Sequence, residues 1–466
     1  VALSIVASRA VLEPHVPPAE LAAELRDTSS RLGALDVGAP MACLRTVLSW
    51  SYQALTPEQA MVFGMVGLAP GPDISVPAAA SLVGLPVARV RTVLRALERV
   101  SLVEQHAAGR YRMHDLVQVY AADQARQDQP AGERDLALQR LVEFSTHTAH
   151  AADRLIARHH ASIELGELPD GCQPQPLADA SEAMAWFNAE RANLMAIQHM
   201  AVEKAWHAPV WQLAWTLTTF QLRQGHLHDN LTAWKAGAQA SKHLDDPHTR
   251  TRSYRHLGRA CAQLGQHDEA LAYLEEGLAG AERDGDHLGQ AHTHRAVAVA
   301  WEQQGDNQRA LEHVQQALRL YEELGVKVSG SHALNEVGWY TARLGNYEQA
   351  HQYCTQALDR CRNGRDRSGE ARTLISLGYI AHHTGQHDQA AEHYQQALSH
   401  YRYLGDTSAQ ADTLDHLGHT HAIHDKDQAR RTWQQALELY EAQHREGDAL
   451  RVQQQLATLN EPIESP

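Results

Sequence analysis

The sequence predicts a mainly α chain: a small module of helices with a β-hairpin, followed by a right-handed α-solenoid of about six stacked hairpins. Three observations predict it. Gly225, Gly265, Gly305, Gly345 and Gly385 recur at a constant step of 40 residues, each followed by a polar turn and then a helical pattern. Partner positions keep that step, first as Ala270, Ala310, Ala350 and Ala390, then as Leu278, Leu318, Leu358 and Leu398. Ahead of the repeats, from Met41 to Gln127, the order is four helices, two short strands and a helix.

Taken in order, the apolar opening from Val1 to Leu12 lacks a basic leader and is far shorter than the ~20 residues that span a bilayer. It reads as a buried helix. That helix begins in mid-pattern with no start Met and no capping residue, as a fragment would. Leu44 to Ala54 turns Leu44, Val47, Leu48 and Tyr52 to a core, and Thr56-Pro57-Glu58 starts the next helix, which ends over Gly67 to Pro72. Ser75 is expected to cap a short helix to Val83, and Pro86 opens a longer one with Val90, Val93, Leu94 and Leu97 buried. Strands over Leu102–Gln105 and Arg110–Met113 flank a turn at Ala108-Gly109, which completes a winged-helix plan. Met113-His114-Asp115-Leu116 follows at once, leading into a helix from Val117 to Arg126.

A helix over Gly132 to His160 and a Pro- and Gly-containing linker over 161–180 come next, and Ser181 is expected to cap the helix that feeds the solenoid. In the repeats, Leu257-Gly258, Val337-Gly338, Leu377-Gly378 and Leu417-Gly418 place a small residue where two helices must approach. Ala310, Leu311, Val314, Ala317, Leu318, Tyr321 and Leu324 form the apolar stripe of a second helix. No lone hairpin buries both of its apolar faces, so neighbours stack. Six hairpins are counted over 211–446, the first degenerate and the last arriving one residue early, with Gly447 to Leu459 as a capping helix.

The 466 residues suggest about three domains. Their net charge of −15 argues against wholesale nucleic-acid or membrane binding, so basic patches have to be found individually. The five cysteines are an odd number without a CxxC pair; neither a disulfide framework nor a zinc cluster is implied, and a reducing cytoplasm fits.

Counting along each first helix from its close-packing residue puts Arg252, Arg255, Arg259, His292, Arg295, His332, Asn335, Trp339, Arg372, Tyr379 and His382 on the concave side. The wall is expected to be mostly basic, suited to an acidic protein or peptide, or a small anionic signal, with Trp339 and Tyr379 for stacking. Replacing Arg255 and Arg295 by Glu should then abolish capture. The alternative is that these arginines pair with Glu and Asp of neighbouring second helices, contributing about 0 to 1 kcal/mol each. His416, His419, His421 and His424 have no Cys or HExxH companion and are read as solvent-exposed, not as metal ligands.

No GxxxxGK[ST] loop, GxSxG or triad spacing occurs, so the sequence predicts no enzyme and no cofactor held by this chain alone. A rival reading of the winged helix is DNA binding. Arg91, Arg95 and Arg99 lie four apart on the outer face of its last helix before the wing, and Arg110 and Arg112 stand on the wing.

Leu48-Ser49-Trp50-Ser51-Tyr52, Pro70-Gly71-Pro72-Asp73-Ile74, the Met113-His114-Asp115 triplet and Trp186-Phe187-Asn188-Ala189-Glu190-Arg191-Ala192-Asn193-Leu194 resemble the NB-ARC class of signal-transduction ATPases. Within it they are similar to the AfsR-type bacterial regulators, which carry tetratricopeptide repeats; the usual repeat of ~34 residues is lengthened here. The resemblance implies that 1–36 is the end of an NB-ARC helical subdomain, 37–130 the winged helix, 131–205 a helical linker and 206–462 the repeat solenoid. It implies that His114 contacts the β-phosphate of ADP and Asp115 holds the turn, with ADP or ATP and Mg bound only in a full-length protein that supplies the missing nucleotide-binding domain. The expected role is the sensor portion of a cytoplasmic transcription regulator. A stand-alone interaction scaffold is the alternative, and neither DNA nor a membrane is expected as a partner of this chain alone.

Overall fold

The computed structural model describes residues 44–158 and 161–460; the helix expected near Val1 and the segment 1–36 lie outside them. Contacts divide the chain into two units, whose described residues are 44–151, 163–177 and 186–204 in the first, and 152–158, 161–162, 178–185 and 205–460 in the second.

The first unit opens with α1 (Leu44–Gln53) and α2 (Pro57–Gly67). Thr56 caps α2 through a reciprocal box with Gln59, and Pro57 occupies the first turn, where its missing N–H costs nothing. A two-residue strand β1 (Ile74–Ser75), helices α3 (Val76–Val83) and α4 (Val87–Arg99), strands β2 (Glu104–Ala107) and β3 (Arg110–Arg112) and helix α5 (Asp115–Asp128) follow. The antiparallel sheet has the order β1-β3-β2, with Ile74 opposite Tyr111 and a bulge between Gln105 and Ala107. The sequence predicts two strands; β1 is too short to show alternation, and it is defined by its ladder to β3. Val90, Val93, Leu94 and Leu97 are the buried residues of α4, as their spacing predicts. At Gly67 an added Cβ would stand 2.5 Å from that of Ala121, so α2 and α5 touch there through backbone.

Helices α6 (Ala131–Ile156) and α7 (Ala180–Glu203) follow α5. The expected cap Ser181 lies inside α7. Asp179 does the capping instead, accepting from the Glu182 N–H at 2.9 Å while Glu182 accepts from the Ala178 N–H at 2.7 Å.

In the second unit, helix pairs stack in series: α8 (His207–Arg223) with α9 (Leu227–Ala240), α10 (Pro247–Gln263) with α11 (His267–Arg283), and α12 (His287–Gln303) with α13 (Asn307–Glu323). Three more pairs follow: α14 (Lys327–Arg343) with α15 (Tyr347–Asn363), α16 (Arg367–His383) with α17 (His387–Leu404), and α18 (Thr407–His421) with α19 (Lys426–Ala442). Helix α20 (Glu446–Asn460) ends the array. The helices start at the 40-residue step, and α19 begins one residue early because Asp425 caps it after a shortened turn.

The turn glycines carry φ between +71° and +90°, a left-handed conformation that side chains resist. A second glycine series, Gly285, Gly325 and Gly405, does the same between hairpins; its third place is taken by Arg365 at φ 52°. Within hairpins the small residue faces a large one: a Cβ at Gly378 would come 2.6 Å from the Tyr394 ring, and one at Gly418 2.4 Å from Trp433. The array curves back on itself. Arg223 donates to the Leu404 carbonyl at 3.1 Å and Gln224 to the Gly405 carbonyl at 2.8 Å, so the first hairpin meets the turn between the fifth and sixth.

Candidate ligand groove and nucleotide-sensing turn

First helices repeat in register, so residues 40 apart stand side by side along the inner wall of the array. One row is Arg252, His292, His332, Arg372 and Asp412; the next is Arg255, Arg295, Asn335, Ile375 and Asp415; a third is Arg259, Val299, Trp339, Tyr379 and His419. The rows are not uniformly basic. Sequence reasoning picked out the cations and aromatics and passed over Glu302 on α12 and Glu336 on α14, although both sit on the same helices.

Apart from Asn335, the predicted residues fall into two groups. In the first, each cation or ring is already engaged. Arg295 grips Glu336 through two hydrogen bonds, one of them Nε to Oε2 at 2.8 Å, and this carboxylate holds the guanidinium charged against the cost of burial. Arg372 donates to Nδ1 of His332 at 2.9 Å, and Nε2 of His332 faces Asp366 at 2.5 Å. Burial and the neighbouring Arg372 push His332 down to about 4, so the ring is neutral near pH 7 and its Nε2–H donates to Asp366. His292 meets the Tyr321 hydroxyl at 2.6 Å, and His382 meets Thr420 Oγ1 at 3.0 Å. The ring of Tyr379 lies 4.9 Å from that of Trp339.

The second group is Arg252, Arg255 and Arg259, on successive turns of α10. None of the three forms an ion pair among the described residues. Arg252 lies 5.7 Å over the Trp215 ring, and Arg255 donates to His256 Nε2 at 3.2 Å. Burial pushes Arg255 down to about 10, with Arg252 and Arg259 adding repulsion that Tyr321 and Asp286 offset only in part. Arg259 keeps contact with solvent, yet the enclosing wall, Arg295 and Arg372 push it down to about 10 as well. The pairing alternative therefore describes Arg295, whose partner is on a first helix rather than a second one, and does not describe α10.

Beside these cations is a cavity of about 260 Å³ lined by Glu302, Asn335, Glu336, Trp339, Tyr340 and Arg372, among others. Trp339 Nε1 donates to Glu302 Oε1 at 2.6 Å, and the Tyr340 hydroxyl to Glu302 Oε2 at 3.1 Å. Burial raises the Glu302 carboxyl, and these donors offset that rise incompletely. No group of three or more His, Cys, Asp or Glu side chains is placed to hold a metal among the described residues.

In the first unit, His114 is the N-cap of α5: its Nδ1 accepts the Leu116 N–H at 3.4 Å. Asp115 is the first residue of α5, an acid in its first turn, and the side-chain cap ahead of it is His114. Both side chains are exposed. Arg91, Arg95 and Arg99 are exposed too. Arg110 is not: Asp73 binds it at 2.9 and 2.5 Å and Glu190 at 2.6 Å, while Asn193 donates to both acids. Burial pushes Asp73 up, but Arg110, Asn193 and His106 outweigh it and hold the carboxyl at about 2. Arg112 pairs with Glu104 in an exposed bridge.

The tetratricopeptide repeat family profile matches residues 249–323, 331–402 and 369–442. Residues 249–323 and 331–442 of the solenoid are thus tetratricopeptide repeats. The chain is 32% identical to the regulatory protein AfsR of Streptomyces griseus over 302 residues, 64% of this chain and 30% of that protein. It is also 32% identical over 292 residues to AfsR of Streptomyces coelicolor, covering 61% and 29%. Its likeness to the AfsR-type regulators is thus established, and it spans about 30% of their length. Among solved structures, a STAND protein with a tetratricopeptide repeat sensor from Pyrococcus horikoshii aligns with 98% of this chain and 71% of its own, at 14% identity and a TM-score of 0.39. The Rap conjugation gene regulator of plasmid pLS20, solved with the Phr* peptide, covers 78% and 92% at 13% identity and a TM-score of 0.47.

What the sequence missed in the tetratricopeptide array carried a signal of its own. Glu302 follows Ala262 by one repeat, and Glu336 follows Ala296 by one, so each is an acid where the preceding unit has alanine. A carboxylate replacing a packing alanine on an inner wall needs a partner, and here those partners are Trp339, Tyr340 and Arg295.

Proposed function

We propose that this chain is the sensor and regulatory portion of a signal-transduction NTPase-type transcription regulator, whose tetratricopeptide array captures an acidic peptide or protein segment. One observation carries the ligand reading: Arg252, Arg255 and Arg259 share one helix face, lack carboxylate partners and repel one another. Cations held together with too little counter-charge in a partly enclosed wall gain free energy when an anion arrives. Binding of a fluorescein-labelled hexaglutamate peptide tests it. The Arg255→Glu/Arg259→Glu variant should bind at least about tenfold more weakly, the loss expected for charge-assisted contacts, while unchanged affinity would contradict the reading.

Within this proposal the chain is organised as a winged-helix module over 37–130, a helical linker over 131–205 and the array over 206–462, and it acts in the cytoplasm. The nucleotide role belongs to the full-length protein. His114 uses Nδ1 as a cap and leaves the rest of its exposed ring for a phosphate brought by the nucleotide-binding domain. In that protein His114→Ala should weaken ADP about tenfold or more, matching a charge-assisted hydrogen bond of roughly 1.5 to 3 kcal/mol. Equal ADP affinity would remove the role.

A second reading, DNA binding, is favoured by the exposed row Arg91, Arg95 and Arg99, but Arg110 is committed to Asp73 and Glu190 and offers no phosphate contact. A low-salt mobility shift with duplex DNA, abolished by Arg91→Glu/Arg95→Glu, is the outcome this reading requires.

A further inference from the structure

The cavity beside the basic wall asks for the opposite charge. Asn335 is 7% exposed, and its Oδ1 has no hydrogen-bond partner among the described residues although it belongs to the cavity lining. A buried carbonyl oxygen without a donor is costly, so a guest that brings an N–H is favoured there. Glu302 accepts only neutral donors, from Trp339 and Tyr340, and each of its oxygens retains acceptor capacity. It forms no ion pair among the described residues; Arg343 lies over the Trp339 and Tyr379 rings at 5.9 and 5.8 Å instead.

The two other carboxylates of the lining are matched, and Arg372 is held by the neutral ring of His332. Glu336 holds Arg295, Arg372 closes a relay through His332 to Asp366, and Asp412 takes Arg445 at 2.8 Å. What is left is one carboxylate, one orphaned acceptor and the face of Trp339. A planar cation with donors in its plane satisfies all three, by hydrogen bonds at its edge and stacking on its face. The volume of about 260 Å³ falls below the ~300–1,000 Å³ of pockets that enclose a whole small ligand, and fits the end of one side chain.

We propose that this cavity receives the guanidinium of an arginine side chain, so that the ligand of the groove is a peptide carrying acidic residues together with an arginine. The inference rests on the acidic-ligand reading for its other half. Glu302 stands on α12, next to α10, and Arg259 feels Glu336 and Arg372 of the cavity lining, so the two subsites adjoin along the inner wall.

Affinity selection from a random octapeptide library on the full chain tests both halves at once. Wild type should enrich Asp or Glu and, in the same peptides, arginine by about tenfold over input. Glu302→Gln, whose one carbonyl oxygen can keep the Trp339 bond while its NH2 donates to the Tyr340 hydroxyl, should lose the arginine enrichment and keep the acidic one. Asn335→Leu should reduce it as well, with thermal transitions showing that both variants fold. Acidic enrichment without arginine on wild type would overturn the cavity assignment alone. Arginine enrichment that depends on Glu302, without Asp or Glu, would instead sink the acidic-ligand reading and leave the cavity standing. Neither enrichment would overturn both.

Discussion

Arg110, Arg295 and Arg255 are the same side chain put to three uses by their neighbours. Arg110 is pinned between Asp73 and Glu190, Arg295 is matched by one buried carboxylate, and Arg255 forms no ion pair among the described residues, with Asp286 offsetting the neighbouring cations only in part. Loss of Glu336 as Glu336→Gln should strand a charge on Arg295 and lower stability by roughly 2 to 4 kcal/mol in urea unfolding. Arg255→Met should leave the melting temperature unchanged or raise it, since it removes repulsion; a clear fall would mean that Arg255 has a structural partner. Asp73 gives a pH signature. Its folded value of about 2 lies below the ordinary carboxylate range, so its contribution is present above about pH 4 and is lost as pH falls through 4 towards 2. That loss amounts to roughly 2 kcal/mol, and Asp73→Asn should flatten it in acid unfolding of the first unit. None of these distinctions is visible in the sequence, because the partners of Arg110 lie 37 and 80 residues away.

At the scale of elements the sequence was most legible where period and backbone conformation coincide. The 40-residue step located every hairpin, since a left-handed turn admits glycine and few other residues. The second turn series went unread because its run is broken: Gly364 stands one place before the left-handed position, and Arg365 occupies it at φ 52°. Arg365→Gly should therefore stabilise the array by about 0.5 to 1 kcal/mol, measured as a higher denaturant midpoint; a lower midpoint would show that Arg365 contributes something the strain does not cancel. Gly378→Ala should do the reverse, forcing the Tyr394 ring to shift and costing about 1 to 3 kcal/mol. Strand β1 and the cap at Asp179 escaped sequence reading for a different reason: two residues carry no period, and Asp179 and Ser181 are both good caps whose choice is settled by Glu182.

For the whole chain, the solenoid could be read without any partner in view, whereas the chemistry of its inner wall could not. Spacing places residues on a face; it does not say which charges cancel across repeats. Eleven residues were assigned to the groove from spacing, and the structure turns that stripe into a graded surface. Its Arg252, Arg255 and Arg259 end is uncompensated, its middle is self-paired through Arg295, Glu336, His332 and Asp366, and Glu302 stands beside Trp339. The central claim is that only the α10 end is free to take an anion, and arginine side-chain Nε–Hε resonances followed while hexaglutamate is titrated into the chain test it most directly. The signals of Arg255 and Arg259 should move to saturation while that of Arg295 stays in place. Movement of Arg295 alone, or binding with the α10 arginines unmoved, would contradict the account.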